Sequence, residues 1–338
     1  MIRYANDYRG FDVIIDVRSP SEYQHSHIPT AYNFPVLNDD EFKQIGTLYH
    51  QDSLQAKILG ASIACKNIAL LLEKIASQKQ IAQLFSHKNK ILIYCARGGK
   101  RSQALYEVLK NLDLQVYKLQ EGYKGYRQLV LCNLKTPHHF LTLCGPTGCG
   151  KSEIIQAYSQ SSIDLENLAH HYGSSFGDLA TLVLGTQPTQ KMFENLLEFE
   201  LSKKQIHSPL IIEAESKKLG NIIIPKELYD NYHKGIFIFI DAPIEQRIKR
   251  ITNLYKTITQ DFFFCAMHRI KPYISNNTFD DILQLWEKQA LEKIAQILIE
   301  KYYDKVYKIP SYQYKIENKD LNEALKELKE IQSLNKTP

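Results

Sequence analysis

Two segments carry residues whose types and spacing could do chemistry. The first is Cys95-Ala96-Arg97-Gly98-Gly99-Lys100-Arg101-Ser102, a cysteine followed by two glycines and three cations. It precedes a segment with helical spacing, and a helix N-terminus offers unpaired N–H groups and a positive dipole end. Gly98 and Gly99 let the backbone curl so that several N–H groups face one centre. Arg97, Lys100 and Arg101 add positive charge, and the combined field favours thiolate at Cys95. Residues Ala96 to Arg101 thus read as an anion loop around a nucleophile. The Cys-x5-Arg pattern suits two chemistries, a cysteine phosphatase loop and a sulfurtransferase loop. The second segment is Gly145-Pro146-Thr147-Gly148-Cys149-Gly150-Lys151-Ser152, which fits G-x-x-x-x-G-K-[ST] in full. Here Gly145, Thr147, Gly148, Cys149 and Gly150 supply the backbone cradle of a diphosphate, with Cys149 read as filler. Lys151 reaches the outer phosphate, and Ser152 could ligate Mg²⁺.

Both loops need a strand before them and a helix after them. Asp12–Val17 and Ile91–Cys95 are short apolar runs rich in β-branched residues, and Gln115–Leu119 is a third. Ser102–Asp113 is helical in spacing, as is a long stretch within residues 55–85. The pattern breaks at Pro137, and a second βα series opens with Phe140–Cys144 and continues through Leu210–Glu213 and Gly235–Asp241. From residue 282 onward the chain reads as helical, ending in a stripe of Leu321, Leu325, Leu328 and Ile331. Alternating strands and helices imply parallel α/β sheets.

A phosphate site that used a metal would need an acid at a strand end. Glu213, Glu215 and Asp241 are the candidates. From Gln246 to Pro272, six Lys/Arg residues stand against Asp261, with Tyr255, Phe262–Phe264 and Tyr273 between them. Basic and aromatic residues so mixed suit RNA, with Arg247, Arg250, Arg269 and Lys271 as the contacts. His27, His170 and His171 are the histidines with suitable chemistry for a base.

Composition bounds the class. The 338 residues suggest two domains, and 44% hydrophobic with 23% charged residues is ordinary globular usage. The net charge of +5 is compatible with a polyanionic partner. Six cysteines without a Cys-x-x-Cys exclude a disulfide scaffold and a zinc cluster, and point to a reducing cytoplasm. No apolar run reaches the ~18 residues of a membrane span. The N-terminus carries Asp7 and Asp12 and lacks the apolar stretch of a signal peptide.

Three separated segments add a resemblance. Asp16-Val17-Arg18-Ser19-Pro20-Ser21-Glu22-Tyr23, His27-Ile28-Pro29-Thr30-Ala31-Tyr32-Asn33-Phe34-Pro35 and Leu119-Gln120-Glu121-Gly122-Tyr123 resemble rhodanese signatures in order and spacing. Asp16 and Arg18 are implied to support the site. Rhodaneses carry sulfur or selenium on the active cysteine as a persulfide or perselenide. Residues 38–87 form an unusually long connection that sulfur transfer alone does not explain.

With the phosphate loop behind it, this arrangement resembles the tRNA 2-selenouridine synthase family. Asp164–Gly177 resembles the family's DLE-x-LA-x-HRGS-x-FG run, with Tyr172 in place of its Arg. Glu213–Gly220 resembles its E-x-ES-x-x-[IL]G run, and Ala96 stands where the family usually has an aromatic. The implied fold is α/β with two domains. Residues 1–134 would form a rhodanese-like parallel sheet with a helical insertion at about 38–87. Residues 135–338 would form a P-loop NTPase-like parallel sheet with a helical C-terminal part. The implied activity replaces the sulfur of wobble-position 2-thiouridine in tRNA with selenium, through an S-geranyl intermediate. Geranyl diphosphate and selenophosphate are the implied co-substrates, Mg²⁺ an auxiliary ion, and a selenophosphate-producing enzyme a partner. Cys95 would receive selenium as a perselenide. The alternatives from the residues alone are a sulfurtransferase with a nucleotide-binding regulatory domain, and a kinase or NTPase fused to a phosphatase-like module.

Overall fold

The computed structural model describes residues 2–204 and 208–336. Two compact units emerge: residues 1–133 with 194–198, and residues 134–193 with 199–338. The short segment Glu194–Glu198 joins the first unit through polar side chains. Asn195 donates to the Tyr123 hydroxyl, and Glu198 accepts from Tyr8.

The first unit holds a five-stranded sheet. Its strands are β1 (Tyr4–Ala5), β2 (Val13–Asp16), β3 (Tyr32–Asn33), β4 (Lys90–Tyr94) and β5 (Gln115–Leu119), in the order β1-β5-β4-β2-β3. Every pairing is parallel. Strands β2 and β4 are buried along almost their whole length, as expected when helices cover both faces. Helices α1 (Pro20–His25), α2 (Asp39–Gln51), α3 (Ser53–Ser77), α4 (Lys79–Leu84), α5 (Lys100–Lys110) and α6 (Gly122–Asn133) surround it. The long connection is α2, α3 and α4. Ala64, Ile68 and Leu71 of α3 join Leu105 and Leu109 of α5 in the core against Val13, Ile15, Ile91 and Ile93. The insertion is therefore part of the layer that covers the sheet.

The second unit repeats the architecture. Strands β6 (Phe140–Cys144), β7 (Ser162–Ile163), β8 (Leu210–Glu213), β11 (Ile236–Asp241) and β12 (Tyr314–Glu317) run in the order β12-β11-β6-β8-β7, all parallel. A two-stranded antiparallel ribbon, β9 (Lys218–Leu219) with β10 (Ile222–Ile223), stands apart. Helix α7 (Lys151–Ala157) follows β6. The helices Gln260–Ile270, Asn276–Glu287 and Leu291–Leu298 build a separate aromatic and aliphatic core.

One sequence expectation fails here. The chain beyond residue 282 is not all helix, because β12 pairs with β11 from Tyr314 to Glu317. Four residues with one buried side chain, Ile316, give little periodic signal. The strand exists because the exposed edge of β11 supplies hydrogen-bond partners. The final stripe is a helix over Leu321–Leu334, with Ala324, Leu328 and Ile331 packed on the second sheet's core.

Candidate functional site

In open parallel sheets, ligands bind at the carboxyl ends of the strands. Both motifs lie there, each after a central strand.

Cys95 follows β4. Its side chain is buried, Sγ accepts from the Gly99 amide at 3.2 Å, and the Ser102 hydroxyl lies 3.3 Å away. Gly98 has φ +63°, the left-handed conformation that the curl of the loop requires. The loop is braced from the turn after β5. Tyr123 N donates to Cys95 O at 2.8 Å and Lys124 N to Ala96 O at 3.0 Å. Gly122, at φ +58°, passes so close that a Cβ there would sit 2.2 Å from Cys95 O and 2.4 Å from Gly98 N. Gly122→Ala is accordingly expected to cost about 2–4 kcal/mol and to displace the Cys95 loop. Thermal melting together with thiol alkylation kinetics checks this. Wild-type values for both would mean that the turn does not shape the loop.

The signature around Asp16 and Arg18 has a structural explanation. Arg18 is buried, makes paired bonds with Asp16, and donates to Ser26 O at 2.7 Å. Its guanidinium lies 3.9 Å from the Tyr123 ring centroid. Burial opposes its charge, but the bonds to Asp16 raise its pKa above the ordinary value. Asn33 ties the same turn by donating to Asp16 O and Arg18 O. Glu22 closes the cap of α1 and pairs with Arg101. Burial pushes the Glu22 carboxyl up, but Arg101 brings it below its usual value. Arg101 is thus held by an acid, whereas Arg97 and Lys100 are exposed beside the loop. Lys118 was not foreseen as a site residue. It is only 2% exposed on β5, where burial lowers its pKa and the charge of Cys95 opposes that shift. A lysine inside the apolar run QVYKL was the available signal.

The second loop follows β6. Gly145, Gly148 and Gly150 have φ of 152°, 81° and 92°. A Cβ on Gly145 would lie 2.2 Å from Ile240 O, and one on Gly150 would lie 2.3 Å from Asn318 Nδ2. Asn318 also donates to Cys149 O at 2.8 Å, and Tyr307 Oη accepts from Gly145 N at 2.7 Å. Cys149 is buried in the core beneath the loop. Lys151 Nζ donates to Gly145 O at 2.8 Å. Burial works against its charge, but Cys149, Glu213 and Glu215 raise its pKa above the ordinary lysine value.

Three carboxylates converge at α7. Oxygens of Glu166, Glu213 and Glu215 lie within 4.8 Å of one another. Ser152 Oγ donates to Glu166 at 3.0 Å and to Glu213 at 3.4 Å. Burial first, then mutual repulsion, pushes Glu213 far above the usual carboxylate range and Glu166 to about 8. Glu213 Oε1 is buried with no partner among the described residues. An orphaned oxygen beside two acids and a hydroxyl fits a hard divalent cation. Such a cation would also offset the repulsion between these acids and a diphosphate. Without it, the raised pKa values mean that the folded protein binds more protons than the unfolded chain. Stability then falls as pH rises from about 4.5 towards about 8. In EDTA, Tm is expected to be lower at pH 8.5 than at pH 5.5, with Mg²⁺ raising it more at the higher pH. Glu166→Gln should flatten the EDTA dependence. An equal Mg²⁺ effect at both pH values would argue against the site. Glu213 and Glu215 were candidates from the sequence; Glu166 stands in the Asp164–Gly177 run, but only the fold brings it to the two acids after β8.

Other candidates lie elsewhere. Asp241 pairs with Lys315 at 2.8 Å across β11 and β12 and is not in the acidic cluster. Arg247 is buried, grips Asp304 with both terminal nitrogens, and donates to Thr147 O at 2.9 Å. It braces the phosphate loop and is unavailable to RNA. Arg250 lines the loop's cleft and pairs with Glu153. Arg269 is exposed and paired with Asp178; Lys271 is exposed, 5.0 Å from the Phe279 ring centroid. Phe263 is core, so the basic aromatic run is largely packing. His27 stacks on Tyr23, His170 caps a turn through Gly185 O and Thr186 O, and buried His171 accepts from Gly173 N. These contacts give all three structural roles.

Known families match both halves. Residues 4–129 match the rhodanese-like domain, and residues 138–273 match the tRNA 2-selenouridine synthase AAA domain. A tRNA 2-selenouridine synthase from Shewanella loihica is 33% identical, over 90% of this chain and 87% of its own. The chain belongs to the tRNA 2-selenouridine synthase family. Relatives with the same name from Shewanella piezotolerans and Hydrogenovibrio crunogenus are 30% and 29% identical, each over 90% or more of both chains. The similarity to these relatives spans both units of the chain. Among the described residues, no helix is long and apolar enough to cross a membrane.

Proposed function

We propose that this protein converts the wobble 2-thiouridine of tRNA to 2-selenouridine in two displacements, using geranyl diphosphate and then selenophosphate. The carrying observation is two built anion cradles in one chain, one around a buried cysteine and one around a lysine among carboxylates. The names of the relatives support the tRNA substrate.

In the first displacement the thio sulfur attacks C1 of the geranyl group. The S–C1 bond forms, the C1–O bond breaks, and its electron pair leaves on diphosphate. The N3 proton passes to solvent, leaving a neutral S-geranyl nucleoside. Lys151 and the loop amides stabilise charge on the departing diphosphate, so no nucleotide hydrolysis is needed. Ser152, Glu166, Glu213 and Glu215 would hold a divalent cation, which adds positive charge at the leaving group.

In the second displacement selenium attacks C2, the C2–Se bond forms, and the C2–S bond breaks. Geranylthiolate leaves and takes a proton, leaving a phosphoryl group on selenium. Electron counting then narrows the task of Cys95. Taking neutral selenium from selenophosphate to make a perselenide would leave phosphite. Attack of the Cys95 thiolate at phosphorus keeps the balance: the P–S bond forms, the P–Se bond breaks, and the pair stays on selenium. Water then releases phosphate from sulfur. Arg97, Lys100 and the loop amides would hold the phosphoryl oxygens.

Nucleoside mass spectrometry of 2-thiouridine tRNA, after incubation with both donors, tests the reading. Geranylthio and seleno nucleosides are expected. Unchanged tRNA with both donors intact would overturn it.

A further inference from the structure

Lys118 is a lysine enclosed in the first sheet. It is 2% exposed on β5, and its register partner on β4 is Ile93. Alternate residues of a strand share a face, so Cys95, two residues beyond Ile93, lies on the side of the sheet to which Lys118 points. The packing agrees. Cys95, Ile91, Ile93 and Val116 belong to one apolar cluster, and Val116 shares the face of Lys118. Helix α3 closes that cluster with Ala64, Ile68 and Leu71 and brings no charge to it. The other buried charges of the first unit are matched: Asp16 pairs with Arg18, and Glu198 accepts from Tyr8 and Asn133. The Lys118 ammonium has no hydrogen bond or ion pair among the described residues and lies 5.7 Å from the Tyr4 ring centroid. Taking a lysine out of water without a counter-charge is costly. The negative charge that acts on it most strongly is that of Cys95, ahead of Glu107 on α5, while Lys100 opposes both.

We propose that Lys118 is a positioning residue whose ammonium is the counter-charge that holds Cys95 as its thiolate. The other charged groups around Cys95 are placed differently. Arg97, Lys100 and Lys124 are exposed, where water and salt screen them. Arg101 is paired with Glu22, and Arg18 with Asp16. Glu107 is half-buried on α5. Lys118 acts through the apolar core, where a charge is felt more strongly than through water. The Gly99 amide fixes where Sγ sits, and Lys118 favours the ionised form there. The proposal rests on the reading of Cys95 as the nucleophile of the second displacement, and adds to it a cation from outside the loop.

The test is the pH dependence of Cys95 alkylation by iodoacetamide, an uncharged reagent, in the full-length protein. Peptide mass spectrometry separates Cys95 from the exposed Cys65, Cys132 and Cys265. Lys118→Met keeps most of the side-chain length and removes the charge. At about pH 7 it is expected to react about 5–10-fold more slowly than the wild type. The two rates should converge above about pH 10, where the thiol is ionised in both. Lys118→Arg, which retains the charge, should stay within about twofold of the wild type at every pH. A Lys118→Met profile that overlays the wild type would overturn the proposal. So would a reduction equal at all pH values, which marks a distorted loop rather than a lost charge. Should Lys118→Met not fold, Lys118→Gln takes its place with the same outcomes. Formation of 2-selenouridine should fall with the alkylation rate in the uncharged variant, and S-geranylation should not. A displaced alkylation profile with undiminished 2-selenouridine would overturn the role given to Cys95 and leave its pairing with Lys118 standing.

Discussion

Cys95→Ser is expected to lower formation of 2-selenouridine by at least ~10³-fold while S-geranylation continues near the wild-type rate. The substitution keeps the size of the side chain and the bond from the Gly99 amide, but removes the nucleophile. Among the described residues, the partners of Cys95 Sγ are the Gly99 amide and the Ser102 hydroxyl, and neither is a base that would activate a serine. If Cys95 attacks phosphorus, the variant should also accumulate a nucleoside carrying phosphoryl selenium. The same mass-spectrometric assay, run separately with S-geranyl tRNA and with 2-thiouridine tRNA, checks both points. Unimpaired selenation would remove Cys95 from the mechanism. Equal loss of geranylation would mean that the loop is not dedicated to selenium.

Lys151→Met should have the opposite profile. Loss of the ammonium is expected to slow geranylation by about 10²–10³-fold, the usual consequence of removing one charge-stabilising donor. Selenation of tRNA that already carries the geranyl group should remain. Methionine is chosen because it keeps most of the length of the half-buried Lys151 side chain without its charge. Removing the charge also leaves Glu213 and Glu215 without their cation, so a lower Tm at high pH accompanies the change. Comparison of rates at a lower pH, where these burial-raised carboxyls are less ionised, separates lost catalysis from lost stability. Undiminished geranylation at both pH values would exclude the loop as the diphosphate site.

Much of this was legible from residues adjacent in the chain. The Cys95 and Lys151 loops are contiguous, and their glycines specify backbone conformations that few other residues adopt. The strands that carry them, β4 and β6, are continuous apolar runs, which is how a strand buried on both faces must read. The segments around Asp16 and Gly122 were visible as a pattern, though not what they do. Arg18 locks the turn beside Tyr123, and Gly122 lets the β5 turn reach the carbonyl of Cys95. The basic run from Arg247 to Lys271 misled because charge in a sequence does not reveal whether a partner waits elsewhere. Arg247 meets Asp304, and Arg269 meets Asp178.

The sequence by itself thus determined the two reactive loops and the parallel sheets that present them, because each depends on local backbone geometry and local periodicity. The tertiary structure decided what surrounds them. Glu166 reaches Glu213 only because β7 and β8 are neighbours in the sheet, and β12 exists only against β11. The apolar cavity beside the phosphate loop joins the successive helices between residues 244 and 303 to Thr147 and Phe176, far from them in sequence. Such convergence is set by strand order and by the packing of distant side chains, which short-range patterns do not encode.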